Sequence, residues 1–147
     1  MRILRAIAFL GISLLAGLTA GCSSDDRKPV FAVAGQVLYE GQPTPHALVT
    51  LHPLDPADKS TPRPHGSVGP DGRFTLTTYR AGDGAPPGEY GVTVEWWLTS
   101  ARAGTAEGDS LPPTNRLPPR YARVETSNLR VRIEAGDNHV PAFKLSR

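Results

Sequence analysis

Pro87-Gly88-Glu89-Tyr90-Gly91-Val92-Thr93-Val94-Glu95-Trp96-Trp97 is the stretch on which the fold turns. Tyr90, Val92, Val94 and Trp96 fall on one side of an extended chain; Glu89, Gly91, Thr93, Glu95 and Trp97 fall on the other. A repeat of two, built from β-branched and aromatic residues, marks a strand with one buried face.

The same period recurs on both sides. Downstream, Leu129, Val131 and Ile133 alternate with Arg130, Arg132 and Glu134; Gly136-Asp137-Asn138 then turns the chain into a last strand, His139 to Leu145. Pro141 within it marks an edge or a strand end, because proline cannot donate to a ladder. Upstream, Phe74, Leu76 and Thr78 follow the turn Gly69-Pro70-Asp71-Gly72, and Gly66 to Val68 precedes it. Ala47, Val49 and Leu51 form the inward set of an earlier strand, with His46, Thr50 and His52 on its other face. Phe31, Val33, Val37 and Tyr39 belong to the first strand, which Glu40-Gly41-Gln42-Pro43 ends. The chain holds Gly 15 and Pro 15, which suits short strands joined by turns. Residues 30–147 are predicted to form one all-β sandwich of about seven strands, with no helix. Residues 99–120 carry no sustained period and are expected to be a long Pro-rich loop, a length that tends to be functional or disordered.

The N-terminus has a different grammar. Arg2 and Arg5 charge the start, and Ala6 to Ala20 is small or apolar without a charge, the order of a secretory signal peptide. That run is shorter than the ~20 residues a membrane-spanning helix requires. It ends in Leu18-Thr19-Ala20-Gly21-Cys22, which resembles the lipobox of bacterial lipoproteins. The resemblance implies cleavage after residue 21, a diacylglyceryl group on the Cys22 sulfur and a further acyl chain, such as palmitate, on its amine. Residues 22–29 then form a lipidated, polar tether. The chain has Cys 1, so Cys22 has no disulfide partner, and acylation accounts for an otherwise exposed thiol. One acyl chain holds a membrane only marginally, with K of roughly 10⁴ M⁻¹, whereas two hold stably. Ser23 is not the aspartate that retains many such proteins at the inner membrane, so the outer membrane is the expected address, with the domain in the periplasm or at the cell surface.

Charge excludes one class of partner. Lys+Arg 16 against Asp+Glu 14 becomes an even balance once Arg2 and Arg5 leave with the signal. A nucleic-acid binder would show a concentrated basic footprint instead.

The strand-and-turn series also resembles a family. Val33-Ala34-Gly35-Gln36-Val37, Gly41-Gln42-Pro43, Ala47-Leu48-Val49-Thr50-Leu51, Gly69-Pro70-Asp71-Gly72-Arg73-Phe74 and Pro87 to Val94 together look like a transthyretin-like, or carboxypeptidase regulatory-like, domain. The resemblance implies a prealbumin-like, Ig-like sandwich and no activity of its own. One enzyme family on that fold, the 5-hydroxyisourate hydrolases, uses an Asp-Gly-Arg arginine and a His-Val-Pro histidine, and this chain has Asp71-Gly72-Arg73 and His139-Val140-Pro141. The family's first-strand histidine and its C-terminal Tyr-Arg-Gly-Ser are absent. A small hydrolase is therefore the alternative to a non-catalytic module.

No catalytic residue, metal site or cofactor is assigned. His46 and His52, read as six strand residues apart, would lie ~20 Å from each other and could not share an ion; His65 and His139 are expected to be surface or loop histidines. No serine sits in a Gly-x-Ser-x-Gly elbow. Asp71 and Asp83 sit in glycine-rich turns, where aspartate bonds its own backbone. The candidate ligand contacts are Trp97, Arg116, Arg120 and Tyr121, a set able to hold a glycan, peptide or envelope protein by stacking and bidentate hydrogen bonds. Against that stands the expectation that the Leu-Pro-Pro units at 111–113 and 117–119 pack over Trp97 and close the sheet.

Overall fold

The structure is a computed structural model and describes residues 27–55, 57, 60–98 and 113–147. Residues 1–26, which hold the expected signal peptide and Cys22, and residues 99–112 lie outside the described residues. Among those described, eleven strand segments form two facing sheets and a small hairpin.

The first sheet is centred on β1 (Val33–Tyr39). β5 (Arg73–Thr75) pairs with it antiparallel on one side, and β2 (Gln42–Pro43) folds back along its end. On the other side run β10 (Asn138–His139) and β11 (Phe143–Leu145), both parallel to β1. Pro141 sits in the gap between them, where the ladder needs no amide donor. The second sheet is antiparallel throughout, in the order β4 (His65–Ser67), β3 (Leu48–Pro53), β6 (Gly88–Glu95), β9 (Arg130–Ile133). β7 (Trp97–Leu98) and β8 (Thr114–Asn115) make the hairpin. Seven of these segments have three or more residues, the number the sequence predicts; the rest are two-residue pairings.

The alternating residues meet between the sheets. Val33, Val37, Phe74, Leu76, Phe143 and Leu145 face Val49, Leu51, Tyr90, Val92, Val94 and Ile133, all buried. Phe74 and Phe143 stack with ring centres 6.1 Å apart. Along one flank the sheets are stitched by His65 and Thr77, each donating its amide to the other's carbonyl at 3.0 and 2.8 Å. At the turn before β5, Gly72 has φ +81°, and a Cβ there would lie 2.9 Å from the Val37 carbonyl oxygen. That position needs glycine on both counts.

Three expectations are corrected. A 3-10 turn (Pro119–Ala122) and a one-turn helix, α1 (Val124–Ser127), lie in the sandwich domain, where no helix was expected. They fill the place left because β9 pairs only with residues 88–91 of β6, so the second half of β6, paired with β3 on one side, has no strand on the other. Leu117 and Tyr121 cover it and enter the core. The outer face of β6 is consequently covered in its middle, while Glu89 stays exposed: Gly91 and Thr93 are buried, and a Cβ on Gly91 would meet Val124 Cγ1 at 2.5 Å. Finally, His46 is not on the strand with His52. β3 begins at Leu48, and His46 stands before it with φ +67°.

Candidate functional site

The four candidate contacts separate into three environments. Trp97 is 44% exposed on β7, directly across from Asn115 of β8. Arg116 lies with its guanidinium carbon 3.9 Å above the ring of Trp96, not Trp97. Trp96 is itself fixed, its indole N–H donating to the Pro45 carbonyl at 2.8 Å. Asn115 holds the hairpin's base, its side-chain oxygen accepting from the amides of Trp96 and Leu117 at 3.0 and 3.1 Å.

Arg120 and Tyr121 are committed elsewhere. The Arg120 guanidinium donates to the carbonyls of Ser146 and Arg147, both at 2.7 Å. Tyr121 is 6% exposed, and its hydroxyl accepts from the Ser146 amide at 3.0 Å. Burial raises the phenol's pKa, but the Ser146 and Arg120 hydrogen bonds outweigh it and hold the group below its usual range. These two side chains clasp the C-terminal residues to the 3-10 turn. Arg147 is held a second time, its amide donating to Glu40 Oε1 at 2.8 Å. The described part of the Pro-rich segment thus enters the core through Leu117, with Tyr121 just after it, while the first Leu-Pro-Pro unit lies mostly outside the described residues. Trp97 and Arg116 are the members that remain at the surface.

A second assembly went unrecognised as a unit in the sequence. On the outer face of the first sheet, Ala34 is flanked by Thr75 on β5 and His139 on β10, while Gln36 lies opposite Arg73. The small Ala34 side chain leaves a gap about 10 Å wide between strands two spacings apart. A cavity of about 560 Å³ results, lined by Gln36, Ser67, Arg73, Thr75 and His139 among others. A smaller one, sharing Ala34, Thr75 and His139, continues it toward Asp137 and Asn138. The turn before β10 is built by Asn138, whose amide donates to the carbonyls of Glu134 and Gly136 at 3.0 and 2.8 Å. Arg73 is highly exposed, with its Nε 3.5 Å from Asp71, an ion pair that contributes little in water. Arg73 and His139 are about 10 Å apart across the sheet and about 7 Å along it, on one trough but not in contact. Its hydrogen-bonding side chains suit an oxyanion or a hydroxyl-rich ligand, and no carboxylate lines the larger cavity. The signal that identifies it is register: residues 34, 75 and 139 share a row only once strand pairing is known.

The remaining histidines are structural or solitary. His52 Nε2 lies 2.9 Å from the buried Thr93 hydroxyl. Burial, reinforced by Arg63, keeps its pKa below the ordinary value against the opposing pull of Glu125 and Glu95. Among the described residues, no three His, Cys, Asp or Glu side chains form a group able to hold a metal. Asp71 and Asp83 do turn back on the backbone, Asp71 Oδ1 accepting from the Arg73 amide at 3.0 Å and Asp83 accepting from three amides.

No protein-family model matches the chain, and none of the curated proteins does. Among solved structures it is similar to a DUF3823 family protein from Parabacteroides merdae ATCC 43184, with a TM-score of 0.39 and 17% sequence identity. That match covers 82% of this chain and 46% of the other, so this chain spans just under half of that protein's length.

Proposed function

We propose that the protein is an envelope lipoprotein: an acylated Cys22 and a polar tether hold a non-catalytic β-sandwich of the transthyretin-like kind at a bacterial membrane. The observation that carries this is the order Arg2, Arg5, an uncharged apolar run, and Leu18-Thr19-Ala20-Gly21-Cys22, with no other cysteine in the chain. The module's task in this reading is to bind or brace an envelope component, a glycan, peptide or protein, with Trp97 and Arg116 as contacts. Growth on isotope-labelled palmitate tests it. The native chain incorporates label and sediments with membranes; Cys22→Ser does neither. Label retained by the Cys22→Ser chain contradicts the proposal.

One observation favours a second reading. Arg73 and His139, the two residues shared with the 5-hydroxyisourate hydrolases, line one cavity. Loss of hydroxyisourate absorbance on adding purified protein, abolished in Arg73→Ala, supports a small hydrolase; decay at the uncatalysed rate removes it.

A further inference from the structure

The sandwich has two ends, and the tether leaves from only one. Phe31 and Ala85 exchange amide hydrogen bonds at 3.0 Å, pinning the chain just before β1 to the segment just before β6. Nearer the N-terminus, the Arg27 guanidinium lies 5.4 Å from the centre of the Tyr79 ring, and the Lys28 ammonium donates to the Thr61 hydroxyl. The loops between β3 and β4 and between β5 and β6 therefore meet the tether at the same end. Two of the exposed large apolar side chains stand there, Leu54 and Tyr79, 38% and 36% exposed. Asp83 holds Tyr79 and Arg80 outward by accepting their amides at 3.0 and 2.8 Å. From Cys22 to Arg27 the chain takes five residue steps. Whatever their path, five steps span at most about 18 Å.

We infer that this end is a membrane-facing surface: Arg27, Lys28, Leu54, Tyr79 and Arg80 rest against the phospholipid headgroups of the bilayer that holds Cys22. The inference depends on the lipoprotein proposal above and adds an orientation to it. Tyrosine suits the headgroup level because its ring is apolar and its tip polar, and long cationic side chains reach phosphates while laying their stems on apolar surface. Asp55 bonds the Ala57 amide, and the turn at 134–138 brings Glu134 and Asp137 to this end, so net charge does not drive the contact. The short tether does. β6 starts at this end and leads in nine residues to Trp97, about 30 Å of extended chain. The hairpin bearing Trp97 and Arg116 consequently faces away from its own membrane and meets partners there.

The test uses the acylated chain in vesicles of phosphatidylethanolamine and phosphatidylglycerol, some bearing a spin-label quencher on the headgroup. Trp96 and Trp97 are the only tryptophans, and both lie at the distal end, so native fluorescence should be almost unquenched. A fluorophore on Ala81→Cys, in the exposed loop beside Tyr79, should be quenched several-fold more than one on Gln42→Cys at the other end. Equal quenching at the two sites, or strong quenching of the native tryptophans, overturns the inference. The mass of the N-terminal peptide separates the two failures: an unmodified Cys22 sinks anchor and orientation together, whereas an acylated Cys22 with equal quenching sinks the orientation alone.

Discussion

Asp83 accepts amides from Thr78, Tyr79 and Arg80 at 2.7, 3.0 and 2.8 Å, so one carboxylate organises the whole loop after β5. Burial raises its pKa, but these donors together outweigh it and bring the group below the ordinary 3.8. A depressed carboxyl stabilises the fold above its unfolded value, and that contribution disappears as pH falls through the folded one. Asp83→Ala is expected to cost about 1–2 kcal/mol at neutral pH, from the lost charge-assisted bonds, and to flatten the acid limb of a thermal-denaturation series. His52 acts in the adjoining window. Its neutral ring is the form the fold favours, so its contribution is complete above 6.5 and lost as pH falls through the depressed folded value. The Tm should therefore drop as pH falls below 6.5 in the native chain and less so in His52→Gln. The two tryptophans differ as their surroundings do. Trp96→Ala removes a half-buried ring, its bond to Pro45 and its stack with Arg116, and should cost about 2–3 kcal/mol. Trp97→Ala should change stability by less than about 1 kcal/mol, so any binding defect in it is a direct one.

Among the elements, the inward face of β6 is legible because it alternates strictly from Tyr90 to Val94, and that of β3 nearly so through Ala47, Val49 and Leu51. The turn at Gly69 to Gly72 was legible because its chemistry is local. What failed to show was set by contacts distant in sequence. Pieces of four residues, such as 119–122 and 124–127, carry no period by which a helix is recognised. Nothing in the neighbourhood of Arg120 and Tyr121 says that their partners are Ser146 and Arg147, so a structural clasp looked like a ligand grip. Tyr121→Phe should accordingly speed hydrogen exchange at the Ser146 amide, and at the Glu40 amide that bonds Leu145, without altering exchange in β6. Unchanged exchange at both would show that the clasp holds nothing. The same burial bounds any deletion in the Pro-rich segment. A deletion running to Arg120 would remove Leu117 from the core, whereas Leu98 already faces Thr114 across β7 and β8. Replacing residues 99–113 by Asn-Gly, a turn suited to that hairpin, should keep the fold intact.

For the whole molecule, the proposed tether at one end would give the sandwich a direction and link the N-terminal sequence to the surface chemistry. The trough over Ala34 runs along a side of the first sheet, and the Trp97 hairpin crowns the far end. Both locations acquire an orientation relative to a membrane if Cys22 is fixed in a bilayer, as proposed. Residues 18–22 bear that weight, and trypsin offers direct access to them because Arg27 is the first basic residue after Cys22. Mass spectrometry of the fragment Cys22 to Arg27 from membrane-extracted protein is the decisive measurement. The account predicts a chain starting at Cys22 and carrying a diacylglyceryl group with an added acyl chain. A fragment with a free thiol, or one still preceded by Gly21, contradicts it.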